Sequence, residues 1–390
     1  MLRSGVFQYL SIERVRYGTP FEDAVAAEAK LVGAQRVFVL ASGTLVRKTD
    51  CLERLESALA GKFVGLYAKV SAHTPRDTVV AAAKHAREAG ADLIVTLGGG
   101  SVTDGGKMMV LCLANDVHDP TELDRYFTRV GEDGMVEQPN MAAPNVGLIC
   151  VPTTLSAGEF NFTAGCTDTV SKTKHLFRHA KYVPRCIVLD PSVTCHTPEW
   201  LWLSTGVRAV DHAVEDLCSR DSHPFVDGTA IHALKLLGRA LPRVKADPED
   251  LKARLDCQTG AWMSMNGALA GVTKGASHGI GHVLGGTAKV PHGHTSCVML
   301  PNVLRYNHSV NSDQQALVSA ALGREDETAA FVLRDLIAGL DQPTKLRSVG
   351  VTKDQFDVIA RNAMHDRWIH TNPRPITEQA QIRDILEMAW

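Results

Sequence analysis

"TLGGGSVTDGGKMM", residues 96–109, joins the end of an apolar, β-branched run to the start of a helical one, and its reading decides the fold. Gly98, Gly99 and Gly100 lack the Cβ atoms that would hold a phosphate away from the backbone. At a strand-to-helix turn of this kind, free N–H groups and the positive end of the helix dipole face an anion. The glycines alone fit a tight βα turn equally well, and neither G-x-G-x-x-G nor Walker A is matched. A second turn, "VPTTLSAGEFN" (151–161), also follows a strand-like run and carries Thr153, Thr154 and Ser156. Two small, hydroxyl-rich strand ends in one sheet predict a dinucleotide site.

Outward from that turn, short β-branched runs alternate with amphipathic ones. The runs "RVFVLA" (36–41), "FVGLYAKV" (63–70), "DLIVTLG" (92–98), "VGLICVP" (146–152) and "RCIVLD" (185–190) predict strands. Helical patterns fall near 49–60, 75–89 and 104–115. Strict alternation implies βαβ units and a mostly parallel sheet, whose ligands gather at the carboxyl ends of its strands. From about residue 200 apolar positions recur at helical spacing and no strand is predicted. The expectation is an α/β dinucleotide-binding domain over 1–195 and a helical domain over 196–390, with 130–145 a long loop in the first.

Charged residues are 22% of the 390, and the net charge of −2 gives no field to draw in nucleic acid or an anionic membrane. Small molecules and a second copy of the chain, as a homodimer, are the expected partners. The nine cysteines form no C-x-x-C pair, the pattern of reduced thiols in a cytoplasmic protein. No signal-like N-terminus and no run of about 18 apolar residues is present.

The second half carries the chemistry. "GASHGIGHVLGGTAKVPHGHTSCVMLPNVLRYN" (275–307) holds His278, His282, His292 and His294, with His278 and His282 at i and i+4 on one helix face. "GVRAVDHAVEDL" (206–217) adds His212 with Arg208 and Asp211. A lone helical histidine is usually a hydrogen-bonded core residue. A cluster is a candidate for proton transfer, charge stabilisation or metal ligation near neutral pH.

The order GGGSxxDxxK (98–107), PTT with Glu159, GxxAxxHAxE (206–215), HGxxHxLG (278–285) and PHG with LPxVxRYN (291–307) resembles the iron-containing alcohol dehydrogenase superfamily over nearly the whole chain. That resemblance implies a nucleotide-binding domain, a helical domain and an active site in the cleft between them. It also implies that Gly98, Gly99, Ser101, Asp104, Thr153 and Thr154 surround a nicotinamide dinucleotide. The glycine turn adds Gly100 to this set, and the hydroxyl-rich turn adds Ser156. Ser42 stands where NAD-preferring members carry an acidic residue, with Arg47 and Lys48 nearby, so NADH and NADPH both remain open, NADH being favoured.

Metal-dependent members hold iron or zinc with one Asp and three His. The three imidazole positions fall on His212, His278 and His292, and the aspartate position falls on Arg208. A divalent ion about 4 Å from a guanidinium, at an effective dielectric near 20, would be repelled by roughly 8 kcal/mol. Asp211 lies about 100° around the helix from His212 and is better placed to pair with Arg208.

Within the superfamily the chain most resembles maleylacetate reductases, which share "HAVE" and lack the acidic ligand. These reduce a double bond conjugated to a ketone in a dicarboxylate, giving 3-oxoadipate in aromatic-compound breakdown. The expectation is therefore a metal-independent NAD(P)H reductase in which protonated imidazoles and Arg208 stabilise developing negative charge, His282 meets the nicotinamide end or the substrate, and Arg208 alternatively binds a substrate carboxylate. The alternatives are a metal-dependent alcohol dehydrogenase and a non-catalytic nucleotide-binding protein.

Overall fold

The computed structural model describes residue 7 and residues 9–130, 136–137 and 139–390. The chain forms two compact units, Tyr9–Thr197 and a second that comprises Pro198–Trp390.

The first unit contains strands β1 (Arg14–Tyr17), β2 (Val37–Ala41), β3 (Phe63–Tyr67), β4 (Leu93–Gly98), β5 (Arg129–Val130), β6 (Val136–Glu137), β7 (Gly147–Pro152), β8 (Thr163–Thr167), β9 (Lys174–Arg178) and β10 (Cys186–Leu189). Its helices are α1 (Phe21–Leu31), α2 (Gly43–Lys48), α3 (Cys51–Ala58), α4 (Arg76–Glu88), α5 (Gly100–Ala114) and α6 (Pro191–Thr194). Six strands make one sheet in the order β1-β10-β7-β4-β2-β3, every pair parallel. β2 and β4 are buried along their whole length, which is why they read as unbroken apolar runs. Their core separates into two faces, one around Phe38, Ile94 and Met109, the other around Val39, Val95 and Phe21.

Two features depart from the sequence expectation. β1 lies at the sheet edge, where Arg14 and Arg16 alternate with Val15 and Tyr17 and both arginines bond the buried carboxylate of Glu28. The expected loop at 130–145 contains one side of a short antiparallel pair, Arg129 opposite Glu137, and its residues 131–135 and 138 lie outside the described residues.

The second unit carries α7 (Glu199–Cys218), α8 (Pro224–Ala246), α9 (Leu251–Met263), α10 (Asn266–Leu269), α11 (Ala276–Ala288), α12 (His292–Ala321), α13 (Ala329–Gly339), α14 (Phe356–Ala363), α15 (Arg367–His370) and α16 (Gln379–Met388). No strand occurs in it among the described residues. α7 is buried without interruption from Trp202 to Cys218, so its polar side chains must find partners inside the protein. Glycines permit close helix crossings in this unit. A Cβ on Gly293 would lie 2.7 Å from the Ser204 Cβ on α7, and one on Gly279 would lie 2.9 Å from Ile369 on α15. Among the described residues no helix is long and apolar enough to cross a membrane. All nine cysteines are free, and eight are buried, Cys195 being the exception.

Candidate active site

At the nucleotide end, three neighbouring parallel strands stop at the same sheet edge and hand over to short turns. Ser42 follows β2, Gly98–Gly100 end β4 and open α5, and Thr153–Ser156 follow β7. The turns touch. A Cβ on Gly98 would lie 3.3 Å from the Ser42 Cβ, one on Gly99 2.9 Å from Thr154 Cγ2, and one on Gly100 3.0 Å from Ser156 Oγ. The glycines thus let the three turns pack against one another at the start of a 15-residue helix with no acidic side chain in its first turn, a setting suited to a phosphate.

Other residues expected around the dinucleotide have scaffold partners. The backbone N–H of Thr153 donates to the Gly98 carbonyl at 3.0 Å, and its own carbonyl accepts from Thr197 Oγ1 at 2.6 Å. Ser101 Oγ accepts from the His73 N–H at 3.2 Å, and Asp104 Oδ2 accepts from the Gly165 N–H at 3.2 Å. Sequence reasoning did not single out Lys107, whose buried ammonium donates to the Gly158, Asn161 and Thr163 carbonyls and so pins the loop after β7. Burial lowers its pKa. Burial likewise raises the Glu159 carboxyl to about 7.

In the helical unit, α7 presents Arg208, Asp211, His212 and Glu215 one turn apart, α11 presents His278 and His282, and α12 presents His292 and Ser296. The four imidazoles run as a chain, with ring centres 5.2 Å apart from His212 to His278, 6.4 Å from His278 to His282 and 6.2 Å from His282 to His292. Arg208 Nη1 donates to Asp211 Oδ2 at 3.3 Å and to Ser296 Oγ at 3.0 Å. The same Asp211 oxygen accepts from Ser277 Oγ at 3.0 Å and Ser296 Oγ at 2.6 Å. The expected Arg208–Asp211 pairing is present, and it belongs to a larger network.

Glu215, three residues after His212, is the partner that sequence reasoning missed. It accepts the backbone N–H groups of Gly275 at 3.0 Å and Ser277 at 2.9 Å, and its Oε2 lies 2.6 Å from His278 Nδ1. Lys274 donates to the His212 carbonyl at 3.0 Å and to the Asp216 carboxylate. His282 Nδ1 meets Asp366 Oδ2 at 2.8 Å. Four buried polar atoms in the cluster keep no partner: Arg208 Nε, Asp211 Oδ1, His212 Nδ1 and His278 Nε2. Such atoms are costly to bury alone and mark a place where a ligand completes the bonding.

The expectation of protonated imidazoles needs correction. Burial first, and the Arg208 charge second, hold His212 and His278 well below the usual imidazole range, so both are neutral at pH 7. Burial raises Asp211 and Glu215 above the usual carboxylate range, while Arg208 opposes the rise at Asp211. Arg208 supplies the positive charge at this end of the cluster, its own pKa lowered by burial without approaching neutrality.

Family models match most of the chain. The family model of iron-containing alcohol dehydrogenase matches residues 13–191, and that of the C-terminal part of the Fe-containing alcohol dehydrogenase family matches residues 202–390. Dehydrogenase FUM7 of Gibberella moniliformis is 34% identical, covering 96% of this chain and 95% of its own. A maleylacetate reductase of Sphingobium indicum is 32% identical, covering 95% and 93%. The crystal structure of maleylacetate reductase from Agrobacterium tumefaciens superposes with a TM-score of 0.83 at 28% identity, covering 100% and 99%.

The chain belongs to the iron-containing alcohol dehydrogenase family. It is a maleylacetate reductase-like member and an oxidoreductase, which sets aside the non-catalytic alternative.

The family's metal is a poor fit to these residues. Among the described residues, one trio of metal-ligating type has its ligand atoms within 4.8 Å of one another, and it is Asp211, Glu215 and His278 rather than His212, His278 and His292. The oxygens of that trio already accept hydrogen bonds from Arg208, Ser277, Ser296 and two backbone N–H groups. Arg208 adds a fixed cation 3.3 Å from the Asp211 oxygen of that trio.

Proposed function

We propose that the protein is an NAD(P)H-dependent reductase that acts on a small acidic enone or ketone of the maleylacetate type without a resident metal ion. The observation that carries this reading is the buried Arg208, held between Asp211 and Ser296 beside two imidazole nitrogens that lack partners. When bound, the dinucleotide supplies a hydride, and the N-terminal turn of α5 at Gly100, free of acidic side chains, suits its phosphates.

Hydride addition to an enone or a ketone drives an electron pair onto oxygen, and the charge needs preorganised donors in a water-poor setting. The Arg208 guanidinium is fixed by two hydrogen bonds before any substrate arrives, so it meets that charge with little reorganisation. The Glu215 carboxyl holds the one proton of the neutral His278 ring on Nδ1 and orients the ring from behind, so His278 Nε2 meets the substrate as an acceptor and Arg208 is the donor to the developing charge. The substrate carboxylates expected of this class would find in Arg208 a planar partner that lysine does not match.

The test is a screen of NADH and NADPH against aldehydes, keto acids and unsaturated dicarboxylates, using protein purified without chelator and assayed for metal. The expected result is turnover of an acidic enone that EDTA leaves unchanged, without stoichiometric metal. Stoichiometric iron or zinc, with activity lost to EDTA, would overturn the reading in favour of a metal-dependent alcohol dehydrogenase.

A further inference from the structure

α11 carries two imidazoles a turn apart, and each is backed by a carboxylate from a different part of the helical unit. His278 has Glu215 from α7. His282 has Asp366, 84 residues further along the chain, at 2.8 Å. The two pairs differ in access. His278 is 4% exposed, whereas the side chain of His282 is 39% exposed and that of Asp366 is 18%.

Asp366 is fixed by its other oxygen. Oδ1 accepts the Trp368 N–H at 2.9 Å and so caps the short helix α15. An ionised carboxylate can only accept, so the ring nitrogen that faces Oδ2 must carry the proton. In the neutral ring, Nε2 then carries the lone pair of a side chain that is 39% exposed. Without Asp366, the exposed His282 ring would exchange freely between its two tautomers and rotate away from any fixed direction.

We propose that Asp366 is a positioning residue of the reaction: it holds His282 as the Nδ1–H tautomer, with Nε2 presented as a hydrogen-bond acceptor to a donor group on the bound nucleotide or the substrate. The inference rests on the reductase reading above, and it goes beyond that reading by assigning a role to a residue distant in sequence from every motif. The donor is a hydroxyl or amide N–H. The kinetics separate its two sources, because loss of the contact raises KM for NAD(P)H in one case and KM for the acceptor substrate in the other.

Asp366→Asn is the sharp variant. Asparagine preserves the helix cap through Oδ1, so the fold should hold, but its amide group donates toward His282 and inverts the tautomer. The expected outcome is a fall in kcat/KM of about 30-fold or more with one of the two KM values raised. The unfolding temperature should stay within about 2 °C of wild type, and Asp366→Ser, which also retains a cap, serves if it does not. In parallel, histidine-selective 15N labelling of the intact protein, with His282→Gln to assign the signal, reads the tautomer directly. Wild type should show the proton on Nδ1 and Asp366→Asn the proton on Nε2.

A wild-type ring protonated at Nε2 alone, or an Asp366→Asn enzyme with unchanged kcat and KM values, overturns the proposal. The labelling result stands whether or not a substrate is found, so failure of the reductase reading and failure of this inference are told apart.

Discussion

The guanidinium of Arg208 lies 3.3 Å from the carboxylate of Asp211, one turn along the same helix, and the two side chains keep 5% and 0% of their surface. Removing either partner strands the other as an uncompensated buried charge, at a cost of about 3–5 kcal/mol. Arg208→Met and Asp211→Asn should each lower the unfolding free energy read from urea denaturation by that amount, and the double variant should lose less than the sum. Strict additivity in urea unfolding would show that the two charges do not support each other.

Arg208→Asp should convert the cluster toward a cation site. It replaces a repulsion of roughly 8 kcal/mol with an anionic ligand beside His212 and His278, so zinc or iron should bind at least about 100-fold tighter than to wild type. Titration calorimetry measures the gain. NAD(P)H-dependent turnover of the native substrate should fall at the same time.

Glu215→Gln tests the buried pair on His278. Three N–H donors converge on this carboxyl, from Gly275, Ser277 and the ring, and an amide cannot accept from all of them. A fall in kcat of about 100-fold with KM for NADH unchanged is expected in steady-state assays. A kcat within about twofold of wild type would mean that the ring needs no carboxylate behind it.

Glu159 gives a pH signature in the α/β unit. Its folded pKa is raised from 4.5 to about 7, so between those values the folded chain holds a proton that the unfolded chain releases. The associated stability is fully present below about pH 4.5 and is lost as pH rises through about 7. Glu159→Gln, which mimics the neutral acid, should therefore gain on wild type by about 2–3 kcal/mol between pH 4.5 and 8. Parallel stability curves for the two proteins would show that Glu159 ionises normally.

The parallel sheet was legible because its strands are covered on both faces. Val37–Ala41 and Leu93–Gly98 have no exposed position and so read as apolar runs between helical patterns. β1 was not legible, since Arg14 and Arg16 look like a solvated stretch until Glu28 on α1 is folded beneath them. At the candidate site, helical spacing together with the family resemblance brought out Arg208, Asp211, His212, His278 and His282. Their partners Glu215, Ser296 and Asp366 depend on how α7, α11, α12 and the segment before α15 cross, which periodicity along one helix does not encode. Protonation was misread for a related reason. A sequence suggests the imidazole of free solution, whereas His212 and His278 take their charge state from a buried site beside a permanent cation.

The distribution of thiols turns the chain into its own unfolding reporter. Eight cysteines are sealed inside both units and only Cys195 keeps partial access, with no disulfide to mask any of them. A thiol reagent should therefore modify one site rapidly in the native protein, and the others only as fast as their surroundings open. Mass-resolved labelling over time would then rank the α/β core around Cys51, Cys112 and Cys150 against the helical core around Cys218, Cys257 and Cys297 by how often each exposes its interior.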